Sequence, residues 1–110
     1  MIVHFYCTPS GRSPIEELIQ NLPKVDRAKC LEVIAGLETY GLNYPRAQLK
    51  PLRGKVWEIK FQTQGGGYRI LYVMLSGDEM VLLHVFKKAS QKTPPKELEL
   101  AEKRLKEVLS

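Results

Sequence analysis

The chain has only two cysteines, two histidines and one tryptophan in 110 residues, and each scarcity closes off a class of function. Cys7 and Cys30 form neither a metal-spaced nor a redox motif, so in an unsecreted chain they read as reduced, packed, small apolar residues. No metal and no cofactor is expected. No apolar run approaches the roughly 20 residues of a membrane span. The start, Met1-Ile2-Val3-His4-Phe5-Tyr6, has neither a basic leader region nor a long apolar core. A cytoplasmic protein without a membrane partner is expected. Internal repeats and low-complexity segments are absent too, and 44% hydrophobic content suits a single domain over residues 1–110 with one core. Acidic residues are also scarce. Twelve Asp and Glu stand against 17 Lys and Arg, and the net charge of +5 favours a polyanionic partner.

What is present reads as alternating elements. Ile2 to Tyr6 is a β-branched and aromatic strand, closed by the turn Thr8-Pro9-Ser10-Gly11. Ser13-Pro14-Ile15-Glu16 is a capping box, predicting a short helix with Ile15, Leu18, Ile19 and Leu22 inward and Pro23 at its end. From Lys24 to Tyr40 the residues Cys30, Val33, Ile34, Leu37 and Tyr40 recur at helical spacing, and Gly41 stops the run. Leu49 to Leu52 fits a short edge strand, where Pro51 is tolerated. Three strands follow, Lys55 to Gln62, Gly67 to Leu75 and Glu79 to Lys88, joined by Thr63-Gln64-Gly65-Gly66 and Gly77-Asp78 as an antiparallel meander. Thr93-Pro94 opens a last helix with Leu98, Ala101, Leu105 and Val108 on one stripe. The fold class is α+β: an antiparallel sheet with a helical hairpin on one face and a C-terminal helix.

Hairpin geometry turns these strands into a candidate site. A two-residue loop at Gly77-Asp78 sets Ser76 opposite Glu79, and stepping back pairs Leu71 with His84 and Arg69 with Phe86. The loop from Thr63 to Gly66 sets Gln62 opposite Gly67 and Lys60 opposite Arg69. One face then carries Trp57, Ile59, Phe61, Tyr68, Ile70, Tyr72, Met74, Val81, Leu83 and Val85, a core surface for the helical hairpin. The other carries Glu58, Lys60, Arg69, His84, Phe86 and Lys88 at one end and Leu71, Val73, Leu75, Met80 and Leu82 at the other. If the last helix covers the apolar end, the charged end stays open as a cleft. Cations held by sheet backbone form a preorganised site for a phosphate or for the charge that develops during its cleavage.

Each residue also has a plainer reading. Lys60 and Lys88 taken singly are ordinary exposed lysines. Arg69, mid-strand between Tyr68 and Ile70, needs either a ligand or a partner, and Glu58 is the obvious partner. His84 on an apolar strand is either packed or catalytic, and His4 belongs to no constellation. Gly65-Gly66-Gly67 lacks the following helix of a phosphate loop and reads as a hairpin turn. Lys87, Lys88, Lys92 and Lys96 form a basic rim that either solubilises the protein or contacts RNA backbone.

The element order, together with Leu52-Arg53-Gly54-Lys55-Val56-Trp57-Glu58-Ile59, Gly67-Tyr68-Arg69-Ile70-Leu71-Tyr72 and His84-Val85-Phe86-Lys87-Lys88-Ala89-Ser90-Gln91-Lys92-Thr93-Pro94, resembles the phage-derived, HigB-type branch of the RelE/ParE toxin superfamily over almost the whole length. The resemblance implies a RelE-like two-layer fold. It also implies a bacterial toxin that cleaves mRNA in the ribosomal A site and is neutralised by a small helix-turn-helix, HigA-like antitoxin. The strand arginine of the family matches Arg69, its final-strand basic residues match Lys87 and Lys88, and Lys60 matches a position often basic. The tyrosine that some relatives place near the C-terminus has no counterpart here. The catalytic set on this reading is Arg69, Lys88, His84 and Glu58, and the RNA-binding set is Lys60, Lys87, Lys92 and Arg53. The reaction implied is metal-independent: a ribose 2′-hydroxyl attacks the adjacent phosphate, with His84 favoured over Glu58 for moving protons because its ordinary pKa is better suited. Two alternatives share the fold: a ParE-type poison of DNA gyrase, and an inactive relative that only binds its antitoxin.

Overall fold

A computed structural model describes residues 1–110, and its elements follow the expected order. Strand β1 (Ile2–Phe5) leads to helices α1 (Pro14–Gln20) and α2 (Lys24–Tyr40); strands β2 (Gln48–Arg53), β3 (Val56–Thr63), β4 (Gly66–Ser76) and β5 (Glu79–Lys87) follow, and α3 (Pro95–Leu109) closes the chain. The local causes are legible. Ser13 Oγ accepts the Glu16 amide at 3.4 Å at the start of α1, and Pro14 holds the first helical position. Gly41, at φ 64° and ψ −145°, takes a positive-φ conformation open to glycine that ends α2.

The sheet runs β1-β5-β4-β3-β2. Its meander is antiparallel, but β1 joins β5 in parallel through Ile2 opposite Glu79 to Phe5 opposite Leu82, so the whole sheet is mixed. Both expected hairpin registers occur: Lys60 faces Arg69, Gln62 faces Gly67, Arg69 faces Phe86, Leu71 faces His84 and Ser76 faces Glu79. Between the last two pairs the register departs from expectation. Leu83 is extra on β5 and Leu75 is extra on β4, so Tyr72 lies opposite Leu82 and Val73 opposite Val81 before the two shifts cancel. The Leu83 carbonyl, in the bulged stretch, accepts a hydrogen bond from Arg104 of α3 at 2.8 Å.

Successive residues on β4 point to opposite layers. The Tyr68 hydroxyl donates to Asp26 of α2 at 2.5 Å, whereas Arg69 reaches the segment that precedes α3. The helical hairpin therefore covers one face and α3 crosses the other, adding a third, partial layer to the two expected. Ile15, Ile19, Cys30, Val33, Ile34 and Leu37 are buried from the hairpin, as their periodicity predicts. Burial pushes the Cys30 thiol up to about 11, away from reactivity. The bulges exchange the expected faces of three β5 residues, so that Met80 and Leu82 join Met74 and Tyr72 while Val81 joins Val73. Two further core expectations fail at the margins. Trp57 is 38% exposed because it lies opposite Pro51 of edge strand β2, and Tyr40 is 61% exposed, stacked on Tyr44 with ring centroids 5.9 Å apart.

Tyr44 itself is buried against the backbone of Gly36, where an added Cβ would sit inside the phenol ring. Gly36→Ala is expected to destabilise the fold by about 1–3 kcal/mol through overpacking. Gly77→Ala, with open space around it, should leave the urea midpoint within error of wild type. Equal midpoints for the two variants would contradict this packing.

Candidate functional site: a cationic cleft backed by a buried arginine

The face beneath α3 gathers Glu58, Lys60, Arg69, His84, Phe86 and Lys88, as the registers require. It is not an open charged cleft throughout. Arg69 and Glu58 are 1% and 0% exposed, and His84 is 9% exposed. The cause is the Ser90–Thr93 segment, which folds down onto Arg69. One guanidinium nitrogen donates to Thr93 Oγ1 at 2.8 Å, and the other donates to the carbonyls of Ser90, at 3.1 Å, and Gln91. Thr93 in turn donates to Glu58 Oε2 at 2.9 Å, while Arg69 stands 3.8 Å from that same oxygen. The threonine hydroxyl is thus a joint between two opposite buried charges.

The second carboxylate oxygen of Glu58 has no hydrogen-bond partner, but the ammonium groups of Lys50 and Lys60 lie 3.5 and 3.6 Å from it. Three cations surround one carboxylate. A buried carboxylate in this arrangement requires its cations, and they are drawn inward around it. Lys60 is 23% exposed at the side chain, and desolvation, then the neighbouring Lys50, then Arg69 hold its ammonium below the usual lysine range, against the pull of Glu58.

His84 is closed off from solvent. Its Nε2 lies 3.2 Å from Glu97 and its Nδ1 3.5 Å from Arg104, both on α3, and its ring stacks on Phe86. Burial, with the nearby charge of Arg104, lowers its pKa against the pull of Glu97. Neither His84 nor Glu58, the two expected proton carriers, faces solvent in this arrangement. Arg53, expected to hold RNA, forms a two-point pair with Glu102 of α3 at 2.5 and 3.2 Å. Lys87 points to the other sheet face, where its charge helps hold the Asp26 carboxyl below the usual range, after hydrogen bonds from Tyr68, Thr63 and Gly65. Lys92 is exposed, with its carbonyl accepting from Ser90 Oγ.

What remains open is a cleft of ≈ 340 Å³ at the free end of the same face, lined by Arg46, Gln48, Lys60, Phe61, Gln62, Gly67, Tyr68 and Lys88. It holds three cations and no carboxylate. Strand pairing brings Gln48 and Lys60 together across β2 and β3, and the Lys88 stem lies over Gly67. Arg46, Gln48 and Gln62 were not among the expected site residues. The pairing of Gln62 with Gly67 was already in the hairpin register, whereas Arg46 comes from a connection whose path no sequence pattern indicates. Other clefts do not share this composition: the one between α2 and the β3–β4 turn carries Lys29 together with Glu32.

Two outcomes test this geometry. Thr93→Val keeps the shape but leaves Glu58 and Arg69 without their joint, and is expected to cost about 1–3 kcal/mol in urea unfolding. His84 has a folded pKa below its ordinary 6.5, so the unfolded chain binds the extra proton first; the stability it contributes is complete above that range and falls as pH drops from 6.5 toward the lowered value. A His84→Gln variant should flatten this part of the stability profile between pH 7.5 and 5.5. An unchanged profile would contradict the buried, neutral assignment.

No curated protein matches the chain. A family model does, described as Phage derived protein Gp49-like (DUF891), over residues 17–106. That span begins within α1 and runs through the whole meander into α3, so it contains every residue of the cleft and of the network behind it. The chain belongs to the phage-derived Gp49-like family, a RelE/HigB-like toxin family of toxin–antitoxin systems.

Proposed function

We propose that the protein is the toxin of a type II toxin–antitoxin pair and acts in the cytoplasm as a ribosome-associated, metal-independent endoribonuclease on mRNA. Its partner on this reading is a small helix-turn-helix antitoxin of the HigA kind. The observation that carries the reading is the cleft itself: Arg46, Lys60 and Lys88 line it with no acidic side chain among them, on a sheet face whose backbone holds the two lysines in place. Such a site favours a polyanion and the negative charge of a phosphoryl transition state. A gyrase poison needs no such cluster.

In the proposed reaction the ribose 2′-oxygen bonds to the adjacent phosphorus and the bond from phosphorus to the 5′-oxygen breaks, leaving a 2′,3′-cyclic phosphate and a 5′-hydroxyl. One proton leaves the 2′-hydroxyl and one reaches the departing 5′-oxygen. Lys60 is the titratable group best suited to take the first, because desolvation and its cationic neighbours ease loss of its proton. Lys88 neutralises the nonbridging oxygens. Arg69 does not touch the phosphate on this reading, since its guanidinium is buried and held by the Ser90–Thr93 segment; it adds positive field and fixes the floor from which Lys60 projects.

The charge and proton roles separate experimentally. Lys88→Ala should lower cleavage of a translated message about 10²–10³-fold, the usual cost of one transition-state donor. Lys60→Arg keeps the charge but cannot release a proton at working pH, so it should retain RNA binding and lose cleavage, while the wild-type rate rises with pH through the lowered Lys60 range. Primer extension on the message reads both. Arg69→Ala is the less informative variant, because it strands a buried carboxylate and is expected to cost about 3–5 kcal/mol of stability. Full cleavage by a folded Lys60→Arg, Lys88→Ala double variant would remove these two lysines from the reaction, and a wild type that cuts no translated message would remove the nuclease assignment.

A further inference from the structure

The cleft contains two side chains that phosphate chemistry leaves unused. Gln48 and Gln62 are exposed, and neither carboxamide is hydrogen-bonded within the chain. Their placement is set by strand pairing. Gln48 stands directly across from Lys60, and Gln62 follows Lys60 by two residues on the same face of β3, opposite Gly67. We propose that Gln62 and Gln48 read the edge of one unpaired base in single-stranded RNA, whose flanking phosphates rest on Lys60, Lys88 and Arg46. This deepens, and rests on, the reading of the cleft as an RNA site.

Three features favour it. First, a phosphate offers only acceptors and is best met by ammonium or guanidinium groups, whereas a carboxamide presents a donor and an acceptor in one plane, the pattern of a base edge. Two carboxamides beside three cations therefore suit a nucleotide better than an isolated anion. Second, Gly67 keeps the floor bare between Gln62 and Lys88. A Cβ there would stand 3.2 Å from Gln62 Oε1 and 3.4 Å from Lys88 Cδ, so even a methyl group would crowd the space between the amide and the lysine stem. Third, the two aromatic rings of the lining do not offer their faces. Phe61 and Tyr68 are 6% and 3% exposed and stack on each other with centroids 5.5 Å apart, so discrimination among bases falls to the amides rather than to stacking. The cleft, at ≈ 340 Å³, has room for a single base and not for a duplex, whose base edges are already paired.

The test measures binding, so that it stands apart from cleavage. Four 2′-O-methyl oligouridylates with A, C, G or U at the central position cannot be cleaved through the 2′-oxygen, and fluorescence anisotropy gives their dissociation constants. Wild type should prefer one base by roughly ten-fold, the discrimination of one good amide–base pair. The Gln48→Leu, Gln62→Leu double variant should bind all four alike, and Lys60→Ala with Lys88→Ala should weaken all four in common. A wild type that binds the four equally, or a double variant that keeps the wild-type preference, overturns base reading and leaves the RNA cleft standing. A wild type that binds none of them overturns both.

Discussion

The Glu58–Thr93–Arg69 network is the constraint on which the rest of this face depends. Two opposite charges are placed on adjacent central strands with almost no access to water, and neither is tolerable alone. Arg69 pulls the carbonyls of Ser90 and Gln91 and the hydroxyl of Thr93 down onto its two terminal nitrogens, while its Nε has no hydrogen-bond partner. That fixes the path of the chain out of β5 and hence the start of α3. Glu58 satisfies itself by drawing in Lys50 and Lys60. The same pair therefore sets the lid over one half of the face and the charge of the other half.

Helix α3 is held in large part by polar contacts. Only Ala101 is fully buried; Leu98, Leu105 and Val108 are half-buried. Around this modest apolar stripe lie the Arg53–Glu102 pair, the His84–Glu97 hydrogen bond, the Arg104 bond to the Leu83 carbonyl and the Tyr6–Glu107 hydrogen bond, with Arg104 also 5.1 Å above the Tyr6 ring. Through these contacts His84 and Arg53 tie α3 to the sheet. The side chains that α3 does not cover, Lys60, Lys88 and Arg46, line the open cleft.

Much of this was legible beforehand, for a specific reason. The turn residues Gly77-Asp78 and the Thr63–Gly66 loop determine hairpin registers by counting, and counting places Lys60 against Arg69 and both beside Glu58 without any knowledge of the rest of the fold. The helix starts were equally local, as Ser13-Pro14 shows. The bulges at Leu83 and Leu75 were not legible, because nothing in an unbroken run of apolar strand residues marks where one will be left unpaired. Nor was the parallel pairing of β1, which joins residues far apart in the chain. A mid-strand arginine needs either a ligand or a partner, and the fold of the Ser90–Thr93 segment supplies Arg69 with partners.

The elements, their order, two hairpin registers and so the set of charged residues that share a face are local consequences of the amino-acid order. Those follow from capping, periodicity and turn length, which act over a few residues. Burial of that face was decided by the tertiary structure alone, because it depends on where a distant segment lands. The landing of Ser90–Thr93 and α3 divided one predicted cluster into a closed half, where Arg69 and Glu58 are joined through Thr93 and His84 is held by Glu97 and Arg104, and an open half, where Lys60, Lys88 and Arg46 meet two unpaired carboxamides.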